Sequence, residues 1–210
     1  MIIYFLRHAQ ATHNSDAARR GSPAYFDSAN ADAAIDDTGM TQIYLCKYPL
    51  PSCNAIYCSP LRRCRQTLVG VLPEALSRPV HLDDRLMEPQ GQAVCNKRIG
   101  CAELAGSIPA SWDLSGVGDV NPFDVVDEGY SSKVGVTAGF ADRIRAFTDS
   151  LLDNHTDDQT ILVVTHNDWI VTWFELYSRE TVAPRNCELI GVEVSRKKLI
   201  DRTCCVTSVQ

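Results

Sequence analysis

The stretch Met1-Ile2-Ile3-Tyr4-Phe5-Leu6-Arg7-His8-Ala9-Gln10 decides how this chain folds. Five apolar residues follow Met1 and stop at Arg7 and His8, a pattern that predicts a short buried strand over residues 2–6. In open α/β sheets, ligands bind at the carboxyl ends of the strands. The sequence therefore predicts that Arg7 and His8 lie at the ligand-binding edge of a sheet.

Two further apolar runs lead to side chains of the same kind. Residues 160–166 are rich in β-branched side chains, which is typical of a strand buried on both faces, and the run ends in a histidine. Residues 55–58 are followed by Ser59-Pro60, which predicts an N-cap and a helix with Arg62 and Arg63 in its first turn. Alternating strands and helices build a parallel sheet whose carboxyl ends share one edge, so these side chains are predicted to converge.

The remaining sequence predicts further strands and helices within one α/β domain, residues 1–210. Residues 10–36 are polar, small and without periodicity, and they predict a long loop. Helices are predicted over 37–47, 60–76, 96–105, 137–153 and 169–177, and strands over 80–82 and, as a closing hairpin, 189–194 and 198–206. The segment from about 92 to 133 has too few apolar residues for its own core, and we expect an inserted cap or lid there.

The composition excludes several classes of protein. The chain has a net charge of −6, which makes nucleic acid and anionic membrane surfaces poor partners. No apolar run approaches the length of a transmembrane helix, and the opening run lacks the features of a signal peptide. The nine cysteines are irregularly spaced without a C-x-x-C pair, which is typical of free thiols in a reducing compartment. The sequence therefore predicts a cytoplasmic protein, and it leaves the oligomeric state open.

The predicted cluster at the sheet edge indicates an anionic ligand. Arg7, His8, His166 and either Arg62 or Arg63 would repel one another in an empty site. A phosphate monoester carries about −1.5 to −2 charges and offers oxygens that match the planar fork of arginine. A phosphorylated ligand would therefore offset the repulsion between these side chains and explain why they lie together.

Four short motifs are spread over most of the chain, and they occur in the same order as in a known family of proteins. The first is Arg7-His8-Ala9-Gln10-Ala11-Thr12-His13-Asn14, similar to Arg-His-Gly-Gln/Glu-Thr/Ser-x-x-Asn. The second is Ser59-Pro60-Leu61-Arg62-Arg63-Cys64-Arg65-Gln66-Thr67, similar to Ser-Pro-Leu-x-Arg-x-x-Gln-Thr. The third is Leu86-Met87-Glu88, similar to Leu-x-Glu, and the fourth is Leu162-Val163-Val164-Thr165-His166, an apolar strand ending in Ser/Thr-His. On these motifs the chain resembles the histidine phosphatase superfamily, which includes phosphoglycerate-mutase-like proteins.

The resemblance implies a three-layer α/β/α sandwich with a mainly parallel central sheet, like that of phosphoglycerate mutase. It also implies a metal-independent phosphomonoesterase that acts on a small phosphorylated substrate through a phosphohistidine, without a cofactor. The catalytic residues that it implies are His8, Glu88 and His166, and the phosphate-binding residues are Arg7, Asn14, Arg63 and His166. In the second motif the resemblance selects Arg63 rather than Arg62.

Two other functions stay open at this point. A phosphoglycerate-mutase-type isomerase would share the motifs, but glycolytic mutases carry a longer insertion and Asn-Glu-Arg around the acid, where this chain has Met87-Glu88-Pro89. A phosphate-binding regulatory module with weak turnover is the other alternative. It is left open by Ala11, which lacks a hydroxyl, and by Asn167-Asp168-Trp169, which replaces a Gly- or Ser-rich turn, although a degenerate module would have no need to keep all four core catalytic positions. The small phosphatase-like members are the better match.

Overall fold

Seven strands form one sheet in the part of the chain that the structure describes. The structure is a computed structural model and describes residues 1–46, 51–89, 93–120 and 138–209. The strands are β1 (Ile2–Arg7), β2 (Ala55–Cys58), β3 (Val80–Asp83), β4 (Trp112–Gly116), β5 (Thr160–Thr165), β6 (Leu189–Glu193) and β7 (Val206–Val209). The α-helices are α1 (Thr12–Arg20), α2 (Asp37–Leu45), α3 (Arg62–Val71), α4 (Cys101–Gly106), α5 (Ala138–Asn154), α6 (Asn167–Tyr177) and α7 (Arg196–Asp201).

The sheet is mainly parallel, as predicted. Its strand order is β4-β3-β2-β5-β1-β6-β7; β6 runs antiparallel to both β1 and β7, and the other neighbouring pairs of described strands are parallel. β1 lies between β5 and β6, and Arg7 is paired with Thr165 of β5. A histidine follows the last residue of each of these two strands. His8 and His166 therefore lie side by side at the carboxyl edge of the sheet.

Both faces of the sheet are covered by helices, because the buried strands alternate between two cores. Ile3 and Phe5 of β1 pack with residues of α5 and α6 on one face, whereas Leu6 packs with residues of α3 on the other. Likewise, Ile161 and Val163 of β5 join the first core, and the residues between and after them join the second. This arrangement confirms the predicted three-layer α/β/α sandwich.

The prediction of a loop over residues 10–36 is wrong, because the segment contains α1 and two 3₁₀ turns, Ser22–Phe26 and Ser28–Asn30. His13 is the one buried residue of α1, so the helix has no apolar stripe that a periodicity search could detect. Ion pairs between Asp16 and Arg19 and Arg20 support the helix on its polar side.

Three other boundaries differ from the prediction. The second motif's helix begins at Arg62, with Leu61 as N-cap, and ends at Val71, where Pro73 starts a 3₁₀ turn. The predicted helix over 96–105 begins only at Cys101. The first four residues of the predicted strand over 198–206 belong to α7, which the Ser195 hydroxyl caps, and the strand that pairs with β6 begins only at Val206, in β7.

The predicted lid overlaps the sheet in part. β4 falls within residues 92–133 and forms a parallel edge strand next to β3, which the sequence analysis did not expect. Residues 121–133 lie outside the described residues, so the lid itself stays a prediction. All nine cysteines are free thiols, as predicted. Within the described ranges, each helix is too short or too polar to cross a membrane.

Candidate active site

His8 has one unprotonated ring nitrogen, which faces Arg63. The residue is 2% exposed, and its Nδ1 lies 2.7 Å from the carbonyl oxygen of Ala9. Because a carbonyl can only accept, Nδ1 carries the proton and Nε2 does not. Arg63 Nε donates to this Nε2 over 3.3 Å. Burial, followed by the charge of Arg63, holds the pKa of His8 well below its usual value of 6.5, so the ring is neutral at neutral pH.

The backbone around His8 is fixed from two directions. The N–H of Ala9 donates to Thr67 Oγ1 of α3 over 2.9 Å, and this hydroxyl in turn donates to the Arg63 carbonyl over 2.7 Å. On the other side, the Asn186 side chain donates to the His8 carbonyl over 2.8 Å. The position of His8 is therefore set by packed elements rather than by a free loop.

Arg63 lies at the centre of the cluster and is fully buried. Its Nη1 donates to the Cys95 carbonyl over 2.8 Å, and Nη2 donates to Asn96 Oδ1 over 2.9 Å and to His166 Nδ1 over 3.2 Å. Glu88 Oε2 is 3.9 Å from Nη2. Arg62, in contrast, is exposed, so the selection of Arg63 from the second motif agrees with the geometry.

His166 is held in one tautomer by its neighbours. An arginine only donates, so the bond from Arg63 makes Nδ1 an acceptor and places the proton on Nε2. This Nε2 lies 2.9 Å from Ser59 Oγ, to which it donates. Burial and the Arg63 charge keep the pKa of His166 well below 6.5. The rings of His8 and His166 are 5.1 Å apart between centroids.

Glu88 is held in its protonated form. Its side chain is 15% exposed, and its Oε1 accepts from the N–H of Asp168, in the first turn of α6, over 3.0 Å. Burial, and then repulsion from the Asp168 carboxylate, raise the pKa of Glu88 to about 8. Its Oε2 lies 3.3 Å from the acceptor Nδ1 of His166, a contact that suits a protonated carboxyl. Such a group can donate a proton near neutral pH and then accept one.

Arg7 and Asn14 lie at the side of this cluster. Arg7 Nη1 donates to the Pro184 carbonyl over 2.7 Å, and its side chain borders an open cleft of about 770 Å³ that Asn167 and Asn186 also line. Asn14 Oδ1 accepts from the N–H of Ala11 over 3.1 Å and so caps α1. Contacts of Arg7 and Asn14 with phosphate stay a prediction.

His13 is a third histidine that the sequence analysis left without a role. It is 5% exposed, its ring centroid is 6.1 Å from that of His8, and its Nδ1 has no hydrogen-bond partner among the described residues. Burial, followed by Arg63 and Arg7, lowers its pKa to about 2. Asn96 and Asp168 were missed as well, since neither belongs to a matched motif. Only the folded chain brings these residues to the site.

The donor set favours an anion over a metal ion. His8, Glu88 and His166 each offer one ligand atom, and the three atoms lie within 4.8 Å of one another. The guanidinium of Arg63 contacts both histidines, however, and would repel a bound cation. A phosphoryl group would instead be attracted by the same arginine.

Comparisons with known proteins identify the family and support the fold. The model of the histidine phosphatase superfamily (branch 1) matches residues 3–186. Among curated proteins, no relative matches the chain. Solved structures with a similar fold include the alpha-ribazole phosphatase of Shigella flexneri (TM-score 0.62, 16% identity, 100% of this chain and 96% of that one). Two others are the ecdysone phosphate phosphatase of Bombyx mori (TM-score 0.63, 14% identity, 99% and 92%) and the mycobacterial glucosyl-3-phosphoglycerate phosphatase (TM-score 0.55, 16% identity, 98% and 96%).

The family match spans most of the chain and includes all four motifs, and the structure brings the nucleophile candidate, the buried arginine, the protonated carboxyl and the second histidine together at one sheet edge. The chain belongs to the histidine phosphatase superfamily, branch 1, and is a phosphatase of that type.

Proposed function

We propose that the protein hydrolyses a small phosphomonoester through a phosphohistidine on His8, without a metal ion or cofactor. The observation that carries the proposal is the pairing of two protonation states. His8 has an unprotonated Nε2 facing Arg63, and Glu88, on the same edge, holds a proton because its pKa is about 8. A nucleophile and a proton donor are what the first chemical step requires.

In the first step, His8 Nε2 attacks phosphorus in line with the ester bond. The N–P bond forms as the P–O bond to the alcohol breaks, and Glu88 transfers its proton to the departing oxygen. Arg7 and Arg63 offset the charge on the equatorial oxygens, the part that a metal ion plays in other phosphoryl-transfer enzymes. The products of this step are the free alcohol and a phosphorylated His8.

In the second step, the ionised Glu88 takes a proton from a water molecule, whose oxygen attacks phosphorus. The N–P bond breaks, inorganic phosphate leaves, and His8 and the protonated Glu88 are restored. The carboxyl acts as acid and then as base, which a pKa near the working pH favours.

The test is an assay of phosphate release from a panel of phosphomonoesters in the presence of EDTA. We expect the wild type to remain active in EDTA and His8→Ala to lose at least about a thousandfold in kcat, because the covalent step is abolished. His81→Ala is the matched control, since His81 lies on β3 and pairs with Asp113 outside the site. A quenched reaction of the wild type should contain an acid-labile phosphoprotein that is missing from His8→Ala.

Three results would contradict the proposal. Interconversion of 2- and 3-phosphoglycerate without phosphate release would indicate a mutase. Binding of the esters without turnover would indicate a regulatory module. Activity lost in EDTA and restored by a divalent metal would indicate a metal-dependent reaction.

A further inference from the structure

Arg143, which belongs to none of the four motifs, reaches from α5 to the segment that carries Glu88. Its Nη1 donates to the carbonyls of Asp84 (3.2 Å), Arg85 (3.4 Å) and Met87 (3.2 Å), and its Nη2 donates to the carbonyl of Glu88 (3.3 Å). A guanidinium carries five N–H donors in a fixed planar fork, so one side chain can hold several carbonyls. Arg143 thereby ties residues 84–88 to α5.

This segment depends on side chains for its position. It consists of one 3₁₀ turn, Asp84–Leu86, followed by extended backbone at Met87. Thr165 Oγ1 donates to the Leu86 carbonyl over 2.8 Å, and Trp169 Nε1 donates to the Arg85 carbonyl over 2.9 Å. Those two bonds hold residues ahead of the acid, whereas the Arg143 bond reaches the acid's own backbone.

The plane of the Arg143 fork is itself fixed. Its Cζ lies 4.9 Å from the ring centroid of Phe140, one turn earlier on α5, and that ring is 1% exposed. A guanidinium stacked on an aromatic face keeps its orientation, and a lysine ammonium offers neither the planar fork nor the same stacking. The geometry is therefore specific to arginine rather than to any positive charge.

We propose that Arg143 is a positioning residue for Glu88, and that it acts on catalysis by fixing where the Glu88 carboxyl lies. This inference rests on the proposed function, in which Glu88 is the acid and base. The Arg143 bonds described above go to main-chain carbonyls, so the residue reaches the reaction through the segment that it holds. A displacement of about 1 Å in a catalytic group can cost about a hundredfold in rate.

A positioning role makes a prediction that a merely structural role does not. Proton donation matters for an alkyl phosphate, whose alkoxide is a poor leaving group, and matters little for p-nitrophenyl phosphate, whose phenolate leaves readily. Loss of the positioning should therefore lower the rate selectively for the alkyl ester. Glu88→Gln, which removes the proton donor directly, defines the size of this selectivity.

The experiment compares kcat/KM for 2-glycerol phosphate and for p-nitrophenyl phosphate in four variants, because kcat/KM reports the steps up to release of the alcohol and excludes hydrolysis of the phosphohistidine, which both esters share. We expect Arg143→Met to lower kcat/KM for the alkyl ester by about 30- to 100-fold and for the aryl ester by less than about threefold. Arg143→Lys, which keeps the charge, should fall between Arg143→Met and the wild type. Arg143→Met combined with Glu88→Gln should be no slower than Glu88→Gln alone, because both changes remove the same contribution.

Arg145→Met is the matched control. Arg145 lies two residues further along α5, is 48% exposed and pairs with Asp142, so its substitution should change neither rate. Equal losses for both esters in Arg143→Met, or losses that multiply with those of Glu88→Gln, would overturn the positioning role. Phosphate release that survives in His8→Ala would count against the proposed function instead.

A second measurement decides the question without turnover. In protein labelled with ¹³C at the glutamate carboxyls, the Glu88 signal is identified by its loss in Glu88→Gln. We expect its pKa, about 8 in the wild type, to fall by about one unit or more in Arg143→Met, because the displaced carboxyl gains water, and to stay in place in Arg145→Met. An unchanged pKa in Arg143→Met would overturn the inference.

Discussion

At the scale of single residues, the Asp168 carboxylate helps to keep Glu88 protonated. Asp168→Asn removes the repulsion but keeps the backbone N–H that donates to Glu88, so we expect the pKa of Glu88 to fall from about 8. In the proposed mechanism Glu88 must be protonated to act as the acid, so we expect activity to decline as the pH rises through this pKa. The alkaline limb of the kcat/KM profile should therefore move to lower pH. Asp157→Asn, at an exposed turn, is the control, and a limb that stays or moves upward in Asp168→Asn would contradict the argument.

The Ser59 hydroxyl accepts the hydrogen bond of the His166 Nε2 proton, although the sequence suggested only an N-cap. Ser59→Ala leaves the Nε2 proton of a fully buried ring without its acceptor, at a cost of about 1–3 kcal/mol. We expect a lower unfolding midpoint in urea and a loss of about tenfold in kcat. Ser77→Ala, which removes an exposed hydroxyl, should leave both unchanged. If Ser59→Ala kept the unfolding midpoint and the kcat of the wild type, the hydrogen bond between His166 and Ser59 would be dispensable.

The sequence identified the residues of the site that chemistry constrains, but not those that tertiary packing supplies. Arg63 could be chosen over Arg62 because its motif fixes the position, and the structure buries it between both histidines. His13, Asn96 and Asp168 carry no such signal. Their closeness to the cluster arises from the path of α1, the segment after Glu88 and the start of α6, and spacing along the chain does not reveal it.

At the scale of elements, α2 packs so closely on the first motif that one of its residues must be glycine. A Cβ on Gly39 would lie 2.1 Å from the carbonyl oxygen of Gln10, two residues after His8. We expect Gly39→Ala to lower the free energy of unfolding by at least about 2 kcal/mol, because backbone must move to admit the methyl group. Gly106→Ala, with open space around its Cβ, should be nearly neutral. Equal midpoints in urea for the two variants would contradict this packing.

Strands and helices could be predicted where the burial of one or both faces gives the sequence a regular pattern of apolar residues. β5 has a continuous apolar run because both of its faces are covered, and α5 has an apolar stripe. α1 buries little besides His13 and so has no such stripe. β4 is an edge strand with only Trp112 fully within the core, too little to distinguish a strand from a loop. The prediction failed where an element is held by polar contacts or by its neighbours rather than by its own apolar pattern.

At the scale of the whole molecule, the buried ionisable groups make stability depend on pH. Folding lowers the pKa values of His8, His13 and His166. Below pH 6.5 these histidines therefore take up protons in the unfolded chain that they do not take up in the folded protein. Each such histidine lowers the free energy of unfolding by about 1.4 kcal/mol for every unit by which the pH falls. Glu88 acts in the opposite sense, because its pKa is raised from 4.5 to about 8 and its contribution is lost as the pH rises between those values.

Three histidines against one carboxyl leave a net uptake of two protons on unfolding, so stability falls as the pH drops below 6.5. Above 6.5 the Glu88 contribution alone lowers stability as the pH rises, so these four groups place the optimum near 6.5. Urea unfolding at several pH values measures this curve. We expect His13→Gln to reduce the acid-side slope by about half, since the net of two protons falls to one. Parallel curves for the variant and the wild type would exclude His13 from the effect.

The position of β1 between β5 and β6 affects how the protein folds during its synthesis. The paired residues Ile2 and Thr160 are 158 positions apart, so the strand that leads to His8, the proposed nucleophile, waits roughly 10–30 s on the ribosome for its first neighbour. During that time both edges of an apolar strand are open to pairing with other chains. Catalysis begins only when the late strands close around the early one, and the return of phosphatase activity during refolding should therefore lag behind the return of helical circular dichroism.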